Sequence, residues 1–118
     1  MGKGQDIADR LLGLAVGVLR LVEQLPRDGT GRHITEQLAR SATGAGANYE
    51  EARAAESRDD FVHKVLISAK ETRETAFWLA LLARSNQSSP EAVRLLSEAN
   101  ELAAILAASA RTARGHSS

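Results

Sequence analysis

Glu71 and Glu74 stand three residues apart with Thr72 and Thr75 beside them. On a helix the two carboxyl groups would share a face and, if buried together, could act as an acid/base pair. The simpler reading is a polar stripe at a helix edge, its acids paired with Arg40, Lys70 or Arg73, and the sequence favours it. Asp60 and His63 are a remote analogue of the Glu-x-x-His pair of carboxylate-bridged dimetal bundles, but no second copy accompanies them. Histidine occurs only at 33, 63 and 116, and His63 reads as a solvent-facing residue in the first turns of a helix. Ser/His/Asp triads, phosphate-cradling glycine loops and zinc spacings are not visible. Cysteine is absent, which removes thiolate ligands, cysteine nucleophiles and disulfides, and fits a reducing compartment. The expectation is a non-enzyme with no metal site and no cofactor, in the cytoplasm.

Phe77-Trp78, followed by Leu79, Leu81 and Leu82, is a different kind of signal. It makes the end of its helix apolar around most of the circumference, more than one core can cover. The aromatic pair lies off the Ala76, Leu79, Ala83 stripe, and tryptophan is enriched at protein interfaces. Either the pair covers a loop or the bundle end, or it belongs to a subunit interface. Leu12 and Leu19, which widen the apolar stripe of the first helix, suggest the second. Candidate interface residues are therefore Leu12, Leu19, Phe77, Trp78, Leu81 and Leu82.

The elements that carry these residues read as helices. A chain of 118 residues fits one domain, taken here as residues 1–118. Its residues are 43% apolar but only 3% aromatic, so Leu, Ala, Val and Ile must build the core, which favours helix over sheet. Ile7, Leu11, Leu14, Val18, Leu21 and Leu25, at spacings of three and four, predict a helix over about 5–25. Pro26-Arg27-Asp28-Gly29 stops it. Ile34, Leu38, Ala42, Ala45, Tyr49 and Ala52 predict a second helix over about 30–55. Its Gly44 and Gly46 mark either close backbone approach or a local kink. Ser57 is a plausible N-cap for a third helix over about 57–84, with Val62, Val65 or Leu66, Ala69, Thr72, Ala76, Leu79 and Ala83 inward. Ser89 can cap a fourth, over about 90–113, that buries Leu96, Ala99, Ala103, Leu106 and Ala110 and leaves Leu95, Leu102 and Ile105 to one side. Residues 115–118 read as a frayed tail. Short loops between such helices predict an all-α, up-down-up-down antiparallel four-helix bundle.

Fifteen basic and fifteen acidic residues cancel, so no basic field holds nucleic acid non-specifically. Arg27, Arg32, Arg111 and Arg114 are the candidate nucleic-acid contacts, as a ring of charge on an assembly. The N-terminal segment reads as neither signal peptide nor membrane span.

Gln37-Leu38-Ala39-Arg40-Ser41-Ala42-Thr43, continued by Gly46-Ala47-Asn48 and Glu51, resembles the second-helix signature of the four-helix bundle proteins encoded in intervening sequences of bacterial 23S rRNA genes, also called S23 ribosomal proteins. Ser57-Arg58 with Asp60-Phe61 is similar to the start of that family's third helix. Lys70-Glu71-Thr72-Arg73-Glu74-Thr75 with Trp78-Leu79 and Leu81-Leu82 is similar to its centre. The resemblance implies an up-down bundle that assembles as a homopentameric ring and has no known catalytic activity, a scaffold or interaction module. It also implies kinship with the accessory variability determinants of diversity-generating retroelements, which assist a reverse transcriptase and contact RNA or DNA. The alternative function is therefore a nucleic-acid-binding accessory of a ribonucleoprotein or reverse transcriptase complex, with RNA or another protein as partner. The family match makes Arg40, Asn48, Glu51, Ser57, Asp60, Glu71 and Glu74 characteristic, and they read as a polar network joining helices two and three. Where the family usually has glycine this chain has Ala52, which suggests that the second helix runs on to about residue 55.

Overall fold

The computed structural model describes residues 2–115; Met1 and residues 116–118, which include His116 and most of the expected tail, lie outside them. Within the described residues the chain forms α1 (Lys3–Val22), α2 (Gly29–Arg53), α3 (Arg58–Ala83) and α4 (Pro90–Gly115). Short turns reverse direction each time, and α1 packs on α2, α2 on α3, α3 on α4 and α4 on α1. The result is an antiparallel four-helix bundle measuring 49 × 25 × 20 Å. The helices α1 and α3 are diagonal neighbours that do not pack on each other, so their outer surfaces point in opposite directions.

Local chemistry sets the helix ends. The last α1 residues tighten through Gln24 N–H to Leu21 O and Leu25 N–H to Val22 O, at 3.0 and 3.1 Å, and Pro26 bars continuation. The helix therefore stops at Val22, before the expected 25, although Leu25 is still buried. Asp28 caps α2 by accepting from Gly31 N–H at 3.1 Å. Gly31 has no alternative: a Cβ there would lie 1.9 Å from Pro26 O. At the other end α2 gives way at Ala54, two residues short of the expected run. Ser57 and Ser89 cap α3 and α4 as the sequence predicts, accepting from Asp60 N–H and Ala92 N–H at 3.1 Å each.

The core is aliphatic. Leu11, Leu14, Val18, Leu38, Val65, Leu79, Leu95, Leu102 and Leu106 are almost wholly buried, each worth about 1.5–3 kcal/mol of transfer free energy. One open alternative is decided and two expectations need correction. Val65 faces inward and Leu66 outward, because Val65 falls on the Thr72, Leu79 side of α3. Leu95 and Leu102, expected to one side, are fully buried, whereas Leu96 only packs against the core edge. Leu82, a candidate interface residue, is 1% exposed: three residues beyond Leu79 and seven beyond Thr75, it shares their inward face.

The seam between α2 and α3 is polar where it is deepest. Ser41, Ser68, Thr72 and Thr75 are fully buried. Thr75 Oγ1 lies 2.8 Å from Ser41 Oγ and 2.9 Å from Glu71 O, and Ser68 donates to Ala45 O at 2.7 Å. Small residues and short hydroxyls let the helices close up while each buried polar atom keeps a partner. The nearest atoms to added Cβ groups at Gly44 and Gly46 are the Glu71 side chain (3.2 Å) and Leu11 Cβ (4.0 Å). Neither glycine accommodates a neighbouring backbone, and α2 runs unbroken through both.

Candidate interaction surfaces

Arg40 organises the outer edge of the α2–α3 seam. Its Nη1 donates to Glu71 Oε2 at 3.1 Å and its Nη2 to Gln37 Oε1 at 3.2 Å, and it also pairs with Glu74. Glu74 Oε2 accepts from Trp78 Nε1–H at 3.2 Å. The Trp78 ring meets His33 edge-on at 5.6 Å and Phe77 at 5.1 Å. Spacings of three and four bring His33, Gln37 and Arg40 along α2 against Glu71, Glu74 and Trp78 along α3. The Arg40 hydrogen bond, with a smaller contribution from Trp78, holds Glu74 below the usual carboxylate range against the opposing effect of burial. A general acid needs the opposite shift.

The remaining network candidates separate. Asn48 donates to Gly44 O of its own helix at 2.8 Å. Glu51 does join α2 to α3, through Lys64 Nζ at 2.7 Å, a partner that the sequence reading did not name. Ser57 and Asp60 meet only as an N-cap pair. The three groups lie in succession along one seam and do not form a single cluster.

A second polar cluster has no forerunner in the sequence reading. Arg10 on α1 grips Glu98 on α4 with two bonds, 2.9 and 2.7 Å, and reaches Glu101 at 2.9 Å. The hydrogen bond from Arg10 holds Glu98 below the usual carboxylate range. Eighty-eight residues separate the partners, and the one local clue is that Glu98 and Glu101 share a helix face.

Apart from Val93 on α4, which is 52% exposed, the large exposed apolar side chains fall on diagonal helices. On α1 they are Leu12 (64% exposed), Val16 (40%) and Leu19 (44%); on α3 they are Leu66 (40%), Phe77 (60%) and Leu81 (43%). Trp78 is half-buried against the core. Arg27 and Arg32 line a cleft of about 340 Å³ with Val22, Leu25 and Pro26 at the α1–α2 turn. Arg111 and Arg114 lie in the last turns of α4, at the opposite end of the bundle. The four arginines thus occupy two ends, two at each.

No group of three or more His, Cys, Asp or Glu side chains that could hold a metal occurs among the described residues. None of the described helices is long and apolar enough to cross a membrane.

These features define an all-α antiparallel bundle protein whose interior polar groups are structurally engaged and whose opposite outer faces carry exposed apolar residues. The chain belongs to the 23S rRNA-intervening sequence protein family, whose family model matches residues 4–108. Among solved structures it is similar to a protein with unknown function from the S23 ribosomal protein family of Bacteroides thetaiotaomicron VPI-5482. The two are 32% identical with a TM-score of 0.82, over 93% of this chain and 99% of that one. Among curated proteins none matches.

Proposed function

We propose that the protein is a non-catalytic, cytoplasmic, homo-oligomeric interaction module that buries the outer faces of α1 and α3 between subunits. The observation that carries this reading is the pair of apolar stripes. Single exposed hydrophobic residues are ordinary, but Leu12, Val16 and Leu19 follow one another at helical spacing on α1, and Phe77 and Leu81 do so on α3. Light scattering coupled to size exclusion tests it against a protomer mass of 12.6 kDa. A mass near five chains, the number implied by the family resemblance, supports the module; a monomer at micromolar concentration overturns it.

Arg27 and Arg32 favour a second reading, a nucleic-acid accessory. Both are exposed beside an apolar cleft, and neither is in an ion pair among the described residues. Repetition around an oligomer would multiply contacts that a neutral protomer makes weakly. Excess absorbance at 260 nm on the purified peak and salt-sensitive RNA binding support it, and absence of binding at low salt removes it.

A further inference from the structure

The two apolar stripes carry opposite charge. Asp9 of α1 and the helix's C-cap Glu23 bracket Leu12, Val16 and Leu19; Lys70 and Arg73 of α3 and the helix's C-cap Arg84 bracket Phe77 and Leu81. All five charged residues are exposed, and none is in an ion pair among the described residues. Spacings of three and four hold each set on one outward face. Arg20 is the cation bordering the α1 stripe, and Glu74, which borders the α3 stripe, is already engaged by Arg40.

Their lengths match as well. Asp9 and Glu23 are fourteen residues apart, and so are Lys70 and Arg84, about 21 Å along a helix axis in each case. Val16 is the midpoint of the first interval and Phe77 that of the second. With the helices parallel or antiparallel, Phe77 therefore falls opposite Val16 while both charged ends meet opposite charge. Beside the α1 stripe, Ala8, Ala15, Gly46 and Ala47 help line a cleft of about 240 Å³, room for an aromatic ring such as that of Phe77.

We infer that copies of this chain join head to tail, the cationic apolar stripe of α3 in one copy docking on the acidic apolar stripe of α1 in the next. The inference rests on the oligomeric reading above and specifies which faces meet. A stripe laid against its own copy would place like charges together at its ends, whereas the mixed pairing neutralises both. The faces point in opposite directions, so the contact is heterologous and passes from copy to copy, closing a ring only where the rotation per subunit returns to the first copy.

Charge reversal tests it by mass in solution at low salt. Lys70→Glu/Arg84→Glu and Asp9→Lys/Glu23→Lys should each raise the dissociation constant at least about tenfold. Combining all four substitutions in one chain should restore the wild-type mass, because an acidic α3 then meets a basic α1 at every contact, which an alternating mixture of the two variants cannot achieve in a ring of five. The restored mass also shows that the substituted chain folds. Unchanged assembly in either double variant, or no recovery in the fourfold variant, overturns the α1-on-α3 pairing while leaving an oligomer intact. A monomeric wild type removes the oligomeric reading itself.

Discussion

Thr75 Oγ1 and Ser41 Oγ lie 2.8 Å apart in a part of the α2–α3 seam that water does not reach. Replacing Thr75 by valine keeps the shape and strips one partner from Ser41. A loss of about 1 kcal/mol is expected. Ser41→Ala/Thr75→Val should cost less than the sum of the single changes, because no hydroxyl is then left looking for a partner. Urea unfolding of the three variants and the wild type closes the cycle, and strict additivity would show that the two hydroxyls do not interact.

Glycines of similar appearance should behave in opposite ways. Gly31→Ala drives a Cβ to 1.9 Å from the Pro26 carbonyl oxygen, so the turn between α1 and α2 must open, and a marked loss of melting temperature is expected. Gly46→Ala meets Leu11 only at 4.0 Å and gains helix propensity worth about 0.5–1 kcal/mol. Thermal unfolding should move down for the first and up for the second; a stabilised Gly31→Ala would contradict the tight turn.

Acid should weaken the α1–α4 contact. Glu98 has a folded-state pKa below its unfolded one because of the Arg10 hydrogen bond. The pair therefore contributes fully above the unfolded value, near pH 4.5, and its contribution is lost as pH falls through the folded value. Both side chains are close to 30% exposed (29 and 30%), so the amount is about 1 kcal/mol or less. Glu98→Gln should lower stability at pH 7 and flatten the decline below pH 5. Equal acid slopes in variant and wild type would count against the linkage.

Leu82 and Phe77 share a helix and differ in what surrounds them. Leu82→Ala removes a side chain that is 1% exposed and should cost about 2–5 kcal/mol. Phe77→Ala, at 60% exposure, should leave the unfolding free energy of the protomer within about 0.5 kcal/mol and act on assembly. Chemical denaturation at concentrations where wild type and variants are monomeric separates the two effects.

The bundle was readable because the α1 core residues Ile7, Leu11, Leu14, Val18 and Leu21 repeat with helical period and because Ser57, Ser89 and Pro26 mark boundaries. On α3 the pattern was ambiguous. Leu81 and Leu82 are both apolar, and only the packed helix shows that one faces solvent and the other the core. Arg40 with Glu71 and Glu74 could be anticipated from their shared faces, whereas Glu51 with Lys64 and Arg10 with Glu98 depend on how far one helix slides along another. The burial of Ser41 and Ser68 was hidden for another reason: a hydroxyl satisfied by a neighbouring carbonyl looks, in sequence, like any surface serine.

The seams that α1 makes with α2 and α4 are sparser than the two that flank α3. In a protomer this N-terminal helix should be the first cooperative unit to open, exchanging its amide hydrogens faster than α3. A subunit docked on Leu12, Val16 and Leu19 would bind only the closed form and so slow that exchange in proportion to its occupancy. Proteolytic sensitivity of α1 would then follow concentration, and a chain without neighbours would be trimmed from its own N-terminus first.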